Sequence, residues 1–329
     1  MTRSILILVL SLFTFTGCGG GSSSSAPSVS SSSSSSSVPP SMPKGDVTVN
    51  RVSWGPLDDQ FGDLYLPTEA QASPFPLVVM IHGGCWQLPY GLEYTQALSH
   101  ALALRGLAVW NIEYRRLGGG GEWPNLFKDV AKAADYVSEL ALSYPVDPQQ
   151  VVSMGHSAGG HLALWLASRD KIDSASVLYS DAPLALSGAV SLAGVADLSS
   201  RVCSSIGQLL INADSLSPLG LGQRMANTSP IEMLPIGLPT LLIGGAADTI
   251  VPPRISQSYT DAALIAGDMS EYMVISGANH FDLIDPEFMD LTLLTDAVEG
   301  MVDSHSEYAG QFNVDFTMLR SPQSFLRCC

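Results

Sequence analysis

Apolar positions along the chain fall into two patterns that alternate from Val47 onward. Residues 77–81, 107–112, 151–154, 189–192, 241–243 and 272–275 are short, nearly continuous apolar runs, as expected of strands covered on both faces. Residues 47–52 and 63–66 are more polar and predict an antiparallel pair at a sheet edge. Between the runs lie segments with helical spacing at 92–104, 124–142, 158–168, 255–266 and 287–302, the second opening on Pro124 in its first turn. Strands alternating with helices predict an α/β fold, a mostly parallel central sheet flanked by helices on both faces. No internal repeat is visible. Residues 199–235 follow neither pattern and are rich in Ser, Gly and Asn, which predicts a loop or small cap near the active site.

The first 45 residues read differently. Arg3 precedes an apolar stretch at 5–15, too short and wrongly flanked for a permanent membrane anchor, so residues 1–18 are expected to be an export signal. Of residues 22–37, thirteen are Ser. Such a segment has no apolar area to offset its ordering entropy, so residues 19–45 are expected to form a disordered tether. The catalytic domain is placed at 46–303. Residues 304–329 show no periodicity and are expected to be an irregular tail.

Composition narrows the choice of function. Of 329 residues 46% are hydrophobic, enough for a large core, and the net charge of −16 argues against a nucleic-acid partner. Mean hydropathy is +0.23, yet no run reaches the roughly 18 to 20 apolar residues that a spanning helix needs. No cofactor is expected, because no Cys/His spacing suits zinc and Gly118–Gly121 lacks the Lys-Ser/Thr of a phosphate loop. Cys85, Cys203, Cys328 and Cys329 could pair in three complete ways, and spacing does not choose among them.

The chemistry concentrates in four segments. Gly155-His156-Ser157-Ala158-Gly159 lies directly between a strand and a helix, the context of a nucleophile elbow. The turn lifts the Ser157 hydroxyl to a helix N-terminus, where developing negative charge is favoured. His82-Gly83-Gly84-Cys85-Trp86 follows the 77–81 strand. Its glycines let backbone N–H groups approach an oxyanion, so Gly83 and Gly84 are assigned as donors with Ala158, the Cys85 amide being an alternative. His82 is expected to hold this loop by hydrogen bonds, without transferring protons. Asp248 lies just beyond the 241–243 strand and His280 beyond the last strand. The order Ser157, Asp248, His280 is that of α/β-hydrolases, with Asp248 orienting the imidazole that takes the Ser157 proton. Asp197 is the rival acid. Asp282 and Asp285 read as surface or capping groups, His156 and His161 as packing or surface histidines, and His100 and His305 have no motif around them.

These segments, with Asn111-Ile112-Glu113-Tyr114-Arg115, Gly119-Gly120-Gly121-Glu122-Trp123-Pro124 and Asn279-His280-Phe281-Asp282, resemble bacterial α/β-hydrolases of the esterase/lipase type. The similarity is closest to the branch shared by hormone-sensitive-lipase-like esterases and kynurenine formamidases, where Cys85 departs from the usual Gly or aromatic residue. The resemblance implies a serine carboxylesterase acting on small or glycan-borne esters with short acyl groups. An arylformamidase or other amide hydrolase is the alternative, and a non-enzymatic binding module is disfavoured by the presence of every element. Phe15-Thr16-Gly17-Cys18 resembles a bacterial lipoprotein box, which implies lipidation at Cys18 and anchoring to the outer membrane. An ordinary cleaved signal is the alternative there. The lipid would be the only membrane contact, and no obligate protein partner is evident.

Overall fold

The computed structural model describes residues 46–68 and 73–307. The expected signal, Cys18, the Ser-rich segment and the stretch beyond Glu307 lie outside the described residues.

β1 (Val47–Ser53) and β2 (Phe61–Pro67) form the expected antiparallel hairpin, and β2 continues antiparallel onto β4 (Ala108–Ile112). β3 (Phe75–Ile81), β4, β5 (Val146–His156), β6 (Gly188–Leu192), β7 (Thr240–Gly245) and β8 (Ser270–Ile275) are parallel. The sheet of eight strands runs β1-β2-β4-β3-β5-β6-β7-β8. β4 and β6 are buried at every position, which is why their sequences read as unbroken apolar runs. β1, with one neighbour, alternates between half-buried and exposed.

Helices α1 (Gln96–Ala103), α2 (Asn125–Asp135), α3 (Val137–Leu140), α4 (Ala158–Ala167), α5 (Ile206–Leu210), α6 (Pro218–Met225), α7 (Arg254–Ala266) and α8 (Leu291–Glu307) complete the described chain. α4 is buried along its whole length, lying between the sheet and the surrounding helices.

Three expectations are corrected. The segment 124–142 is two helices, because Ser138 Oγ donates to the Asp135 carbonyl at 3.0 Å and competes with the helical ladder at the break. The last helix starts at Leu291 instead of 287, since Asp290 Oδ1 caps the Thr292 amide at 3.0 Å and Pro286 precedes the turn. It also continues to Glu307, past the expected end at 302. The region 199–235 is a chain of short helical pieces that includes α5 and α6, with no strand. Among the described residues no helix is long and apolar enough to cross a membrane.

Candidate active site

Parallel strands with crossover helices bring several strand ends to one edge of the sheet, and the chemically active segments all leave from that edge. Ser157 follows β5 and precedes α4, with φ 56° and ψ −119°. A non-glycine residue at positive φ is strained and persists only where its surroundings hold it. Here the Ser157 N–H donates to the Leu192 carbonyl at 2.8 Å, and the Ser157 carbonyl accepts from His161 and Val195. The flanking glycines are dictated by close approach. A Cβ on Gly155 would collide with the Gly159 carbonyl, and one on Gly159 with the Ile81 carbonyl.

Asp248 lies three residues past the end of β7. Its Oδ1 accepts from the amides of Ile250 at 2.8 Å and Val251 at 2.9 Å, while Oδ2 faces His280 Nδ1 at 2.7 Å. Burial pushes the Asp248 carboxyl upward. The His280 hydrogen bond, the His280 charge and the two amides outweigh that and hold it below the usual aspartate range. An ionised Asp248 accepts from Nδ1–H, which leaves the His280 Nε2 lone pair available as a base.

His280 is tied to the serine turn through His156. The His156 Nε2–H donates to the His280 carbonyl at 2.9 Å, and the two rings lie 4.5 Å apart. Burial, followed by the His280 charge, pushes His156 down to about 3, so it is neutral. The residue next to Ser157 thus holds both the backbone and the ring of His280. Sequence reasoning placed His156 among packing or surface groups; it packs, but against the imidazole expected to act as base. No sequence signal marks that contact.

Gly83 lies against the elbow: a Cβ there would be 3.0 Å from Ser157 Cβ and 2.8 Å from the His156 carbonyl oxygen. Gly84 has φ +103°, and a Cβ on it would strike Tyr90. Among the described residues the N–H groups of Gly83, Gly84 and Ala158 donate to no protein acceptor. Asp197, the rival acid, is occupied by the Ser199 amide and hydroxyl, and Asp282 caps the Asn279 amide. His161 donates Nε2–H to the Thr228 carbonyl at 2.8 Å in a buried packing role.

Cys85 pairs with Cys203, the Cα atoms 5.7 Å apart, so the loop carrying Gly83 and Gly84 is bonded to the 199–235 segment. That segment is therefore a cap over the site, as its irregular sequence suggested. Cys85, Trp86, Cys203 and Ser204 all have positive φ. A cavity of about 560 Å³ between α6 and Trp123 is lined in part by Lys171, Asp173, Gln223 and Arg224 and contains none of Ser157, Asp248 or His280. Among the described residues no cluster of three or more His, Cys, Asp and Glu could hold a metal ion.

An elbow serine between a parallel strand and a buried helix, with an acid and a histidine on later strand ends, is the arrangement of the α/β-hydrolase fold. Within that class the chain belongs to the BD-FAE family, whose model matches residues 62–262. It is 27% identical over 235 residues to the probable isoprenylcysteine alpha-carbonyl methylesterase ICMEL1 of Oryza sativa subsp. japonica, covering 67% of this chain and 54% of that protein. It is 24% identical to Esterase LipC of Mycobacterium tuberculosis, covering 71% and 60%. The chain spans about half the length of the plant relatives it matches. Among solved structures, Esterase B from Lactobacillus rhamnosis superposes with a TM-score of 0.65 at 20% identity, covering 81% of this chain and 89% of that one. A truncated carbohydrate esterase from gut microbiota gives 0.62 at 20% identity, covering 80% and 99%.

Proposed function

We propose that this protein is a serine carboxylesterase that cleaves esters with short acyl groups through an acyl-enzyme. Ser157 Oγ attacks the ester carbonyl as its proton passes to His280 Nε2, and Asp248 orients the imidazole and stabilises the imidazolium. The tetrahedral oxyanion is received by the amides of Gly83, Gly84 and Ala158. Collapse expels the alcohol, which takes the proton from His280. Water then repeats the sequence on the acyl-enzyme, releasing the acid and restoring Ser157.

One observation carries this reading: the His280–Asp248 pair at 2.7 Å, fastened through His156 to the turn that presents Ser157. The short-acyl part is supported by the fully buried Trp86 and the Cys85–Cys203 bond, which hold the loop beside Gly84 against the cap. Relatives named as methylesterase and esterase agree with ester chemistry. Export and anchoring through Cys18, proposed from the sequence, would place the site outside the cytoplasm, where an ester on a glycan is accessible.

The test is p-nitrophenyl acetate hydrolysis by the wild type and Ser157→Ala. Loss of a triad nucleophile lowers kcat on the order of 10⁶-fold, and equal rates would overturn the proposal. A panel of longer p-nitrophenyl esters, acetylated xylan and N-formylkynurenine then reads acyl length and the choice of ester over amide; fastest turnover of the formyl amide would favour the amidase alternative.

A further inference from the structure

The segment Glu113-Tyr114-Arg115-Arg116 follows β4 and has no part in the triad, yet it packs directly behind the oxyanion loop. Tyr114 Oη–H donates to the His82 carbonyl at 2.9 Å, and its ring stacks on the His82 ring at 4.4 Å. His82 Nδ1 lies 2.8 Å from the Gly83 carbonyl oxygen and Nε2 lies 3.0 Å from Glu113 Oε1. Both side chains are fully buried.

A carbonyl oxygen only accepts, so Nδ1 carries a proton. The second contact is equally restrictive. Glu113 receives the amides of Tyr114 at 2.9 Å and Leu92 at 3.1 Å, together with Arg116 Nη1 at 2.8 Å, a donor set suited to an ionised carboxylate. Burial pushes Glu113 upward, but the His82 hydrogen bond and the His82 and Arg116 charges outweigh it and hold the carboxyl below its usual range. A bare Nε2 would set its lone pair against that carboxylate. Both ring nitrogens therefore face acceptors, the arrangement of an imidazolium. The charged groups around it are Glu113 and Arg116, with Asp59 beyond on Arg116 at 3.2 Å.

The peptide units supply the link to chemistry. The cis bonds among the described residues all precede proline, so the units 82–83 and 83–84 are trans, with C=O and N–H pointing oppositely. The His82 carbonyl that accepts from Tyr114 shares its peptide with the Gly83 N–H. The Gly83 carbonyl that accepts from His82 shares its peptide with the Gly84 N–H. A hydrogen bond on the carbonyl of an amide polarises its N–H, strengthening what it donates by about 10–30% per bond.

We propose that Tyr114 and His82 are positioning residues for the oxyanion hole, backing the carbonyls of the two peptides whose N–H groups receive the oxyanion, with His82 doubly protonated against Glu113. This rests on the esterase reading. It assigns work to the Glu113-Tyr114 pair, which that reading leaves idle.

Two conservative variants test it. Y114F keeps the stacked ring and removes only the hydroxyl. E113Q lets His82 keep Nδ1–H while losing its second proton. Because removing a direct donor costs about 10²–10³ in kcat, each backing donor is expected to cost about tenfold, with KM within about twofold and the unfolding midpoint near wild type. Affinity for a trifluoromethyl ketone should fall in parallel with kcat/KM, which a purely structural role would not produce. Nitrogen-15 NMR at pH 7 should show both His82 ring nitrogens protonated in the wild type and one bare in E113Q. An active, fluorophosphonate-labelled wild type matched in kcat by both variants, or a bare His82 nitrogen in the wild type, overturns the inference alone. A wild type that turns over no ester and leaves Ser157 unlabelled overturns the esterase reading, and this inference with it.

Discussion

At the residue scale, the Asp248 carboxylate decides which nitrogen of His280 is left to act. Asp248→Asn would favour the wrong imidazole tautomer, and kcat for p-nitrophenyl acetate is expected to fall about 10⁴-fold with little change in KM. Two buried histidines make a separate prediction about stability. Burial holds His156 at about 3 and His161 at about 4, against an ordinary value of 6.5. Below pH 6.5 the unfolded chain takes up protons that the folded state refuses, so stability is full above that pH and falls as pH drops toward 4. Each histidine is expected to remove about 2 kcal/mol between pH 7 and pH 5. Urea unfolding at the two pH values checks this, and His161→Gln, which keeps a donor for the Thr228 carbonyl, should flatten the slope. Ser157, Asp248 and His280 were readable because each lies in a short segment whose glycines or strand-end position is dictated by local geometry. The contact of His156 with His280 joins residues 124 positions apart and has no local mark.

At the scale of elements, the apolar runs gave their own locations away, since a strand buried on both faces admits almost no polar residue. Helix ends were less legible. Ser138 and Asp290 set two of them through single side-chain hydrogen bonds, which compete with an otherwise continuous periodicity. The cap is the element furthest from sequence reasoning, because its position depends on what Cys85 finds as a partner. Cys85 and Cys203 are separated by 118 residues, a loop whose closure stabilises the fold by about 4 kcal/mol when it is removed from the unfolded ensemble. Cys85→Ser/Cys203→Ser, or reduction of the wild type, is expected to lower the free energy of urea unfolding by about that amount. Unchanged unfolding would mean that the cap docks by packing alone.

At the scale of the whole molecule, a net charge of −16 repels polyanions and is compatible with a compact core because the acids are spread over a large surface. The proposed lipid anchor makes the same chain a membrane-associated protein without a spanning helix. Full-length protein made in a bacterium should enter the detergent phase on Triton X-114 separation, and Cys18→Ser should remain in the aqueous phase; equal partitioning would rule out the anchor. What the sequence alone determined was the alternation of strand and helix, the α/β class, and the identity and order of Ser157, Asp248 and His280. Those properties depend on neighbours a few residues away, whose periodicity and small side chains are written into each segment. Only the tertiary structure decided that Cys85 meets Cys203, that His156 holds His280, and that Tyr114 and His82 stand behind Gly83 and Gly84. Each of these joins chain segments through the order of strands in the sheet, and a one-dimensional pattern carries no record of which distant side chains that order makes neighbours.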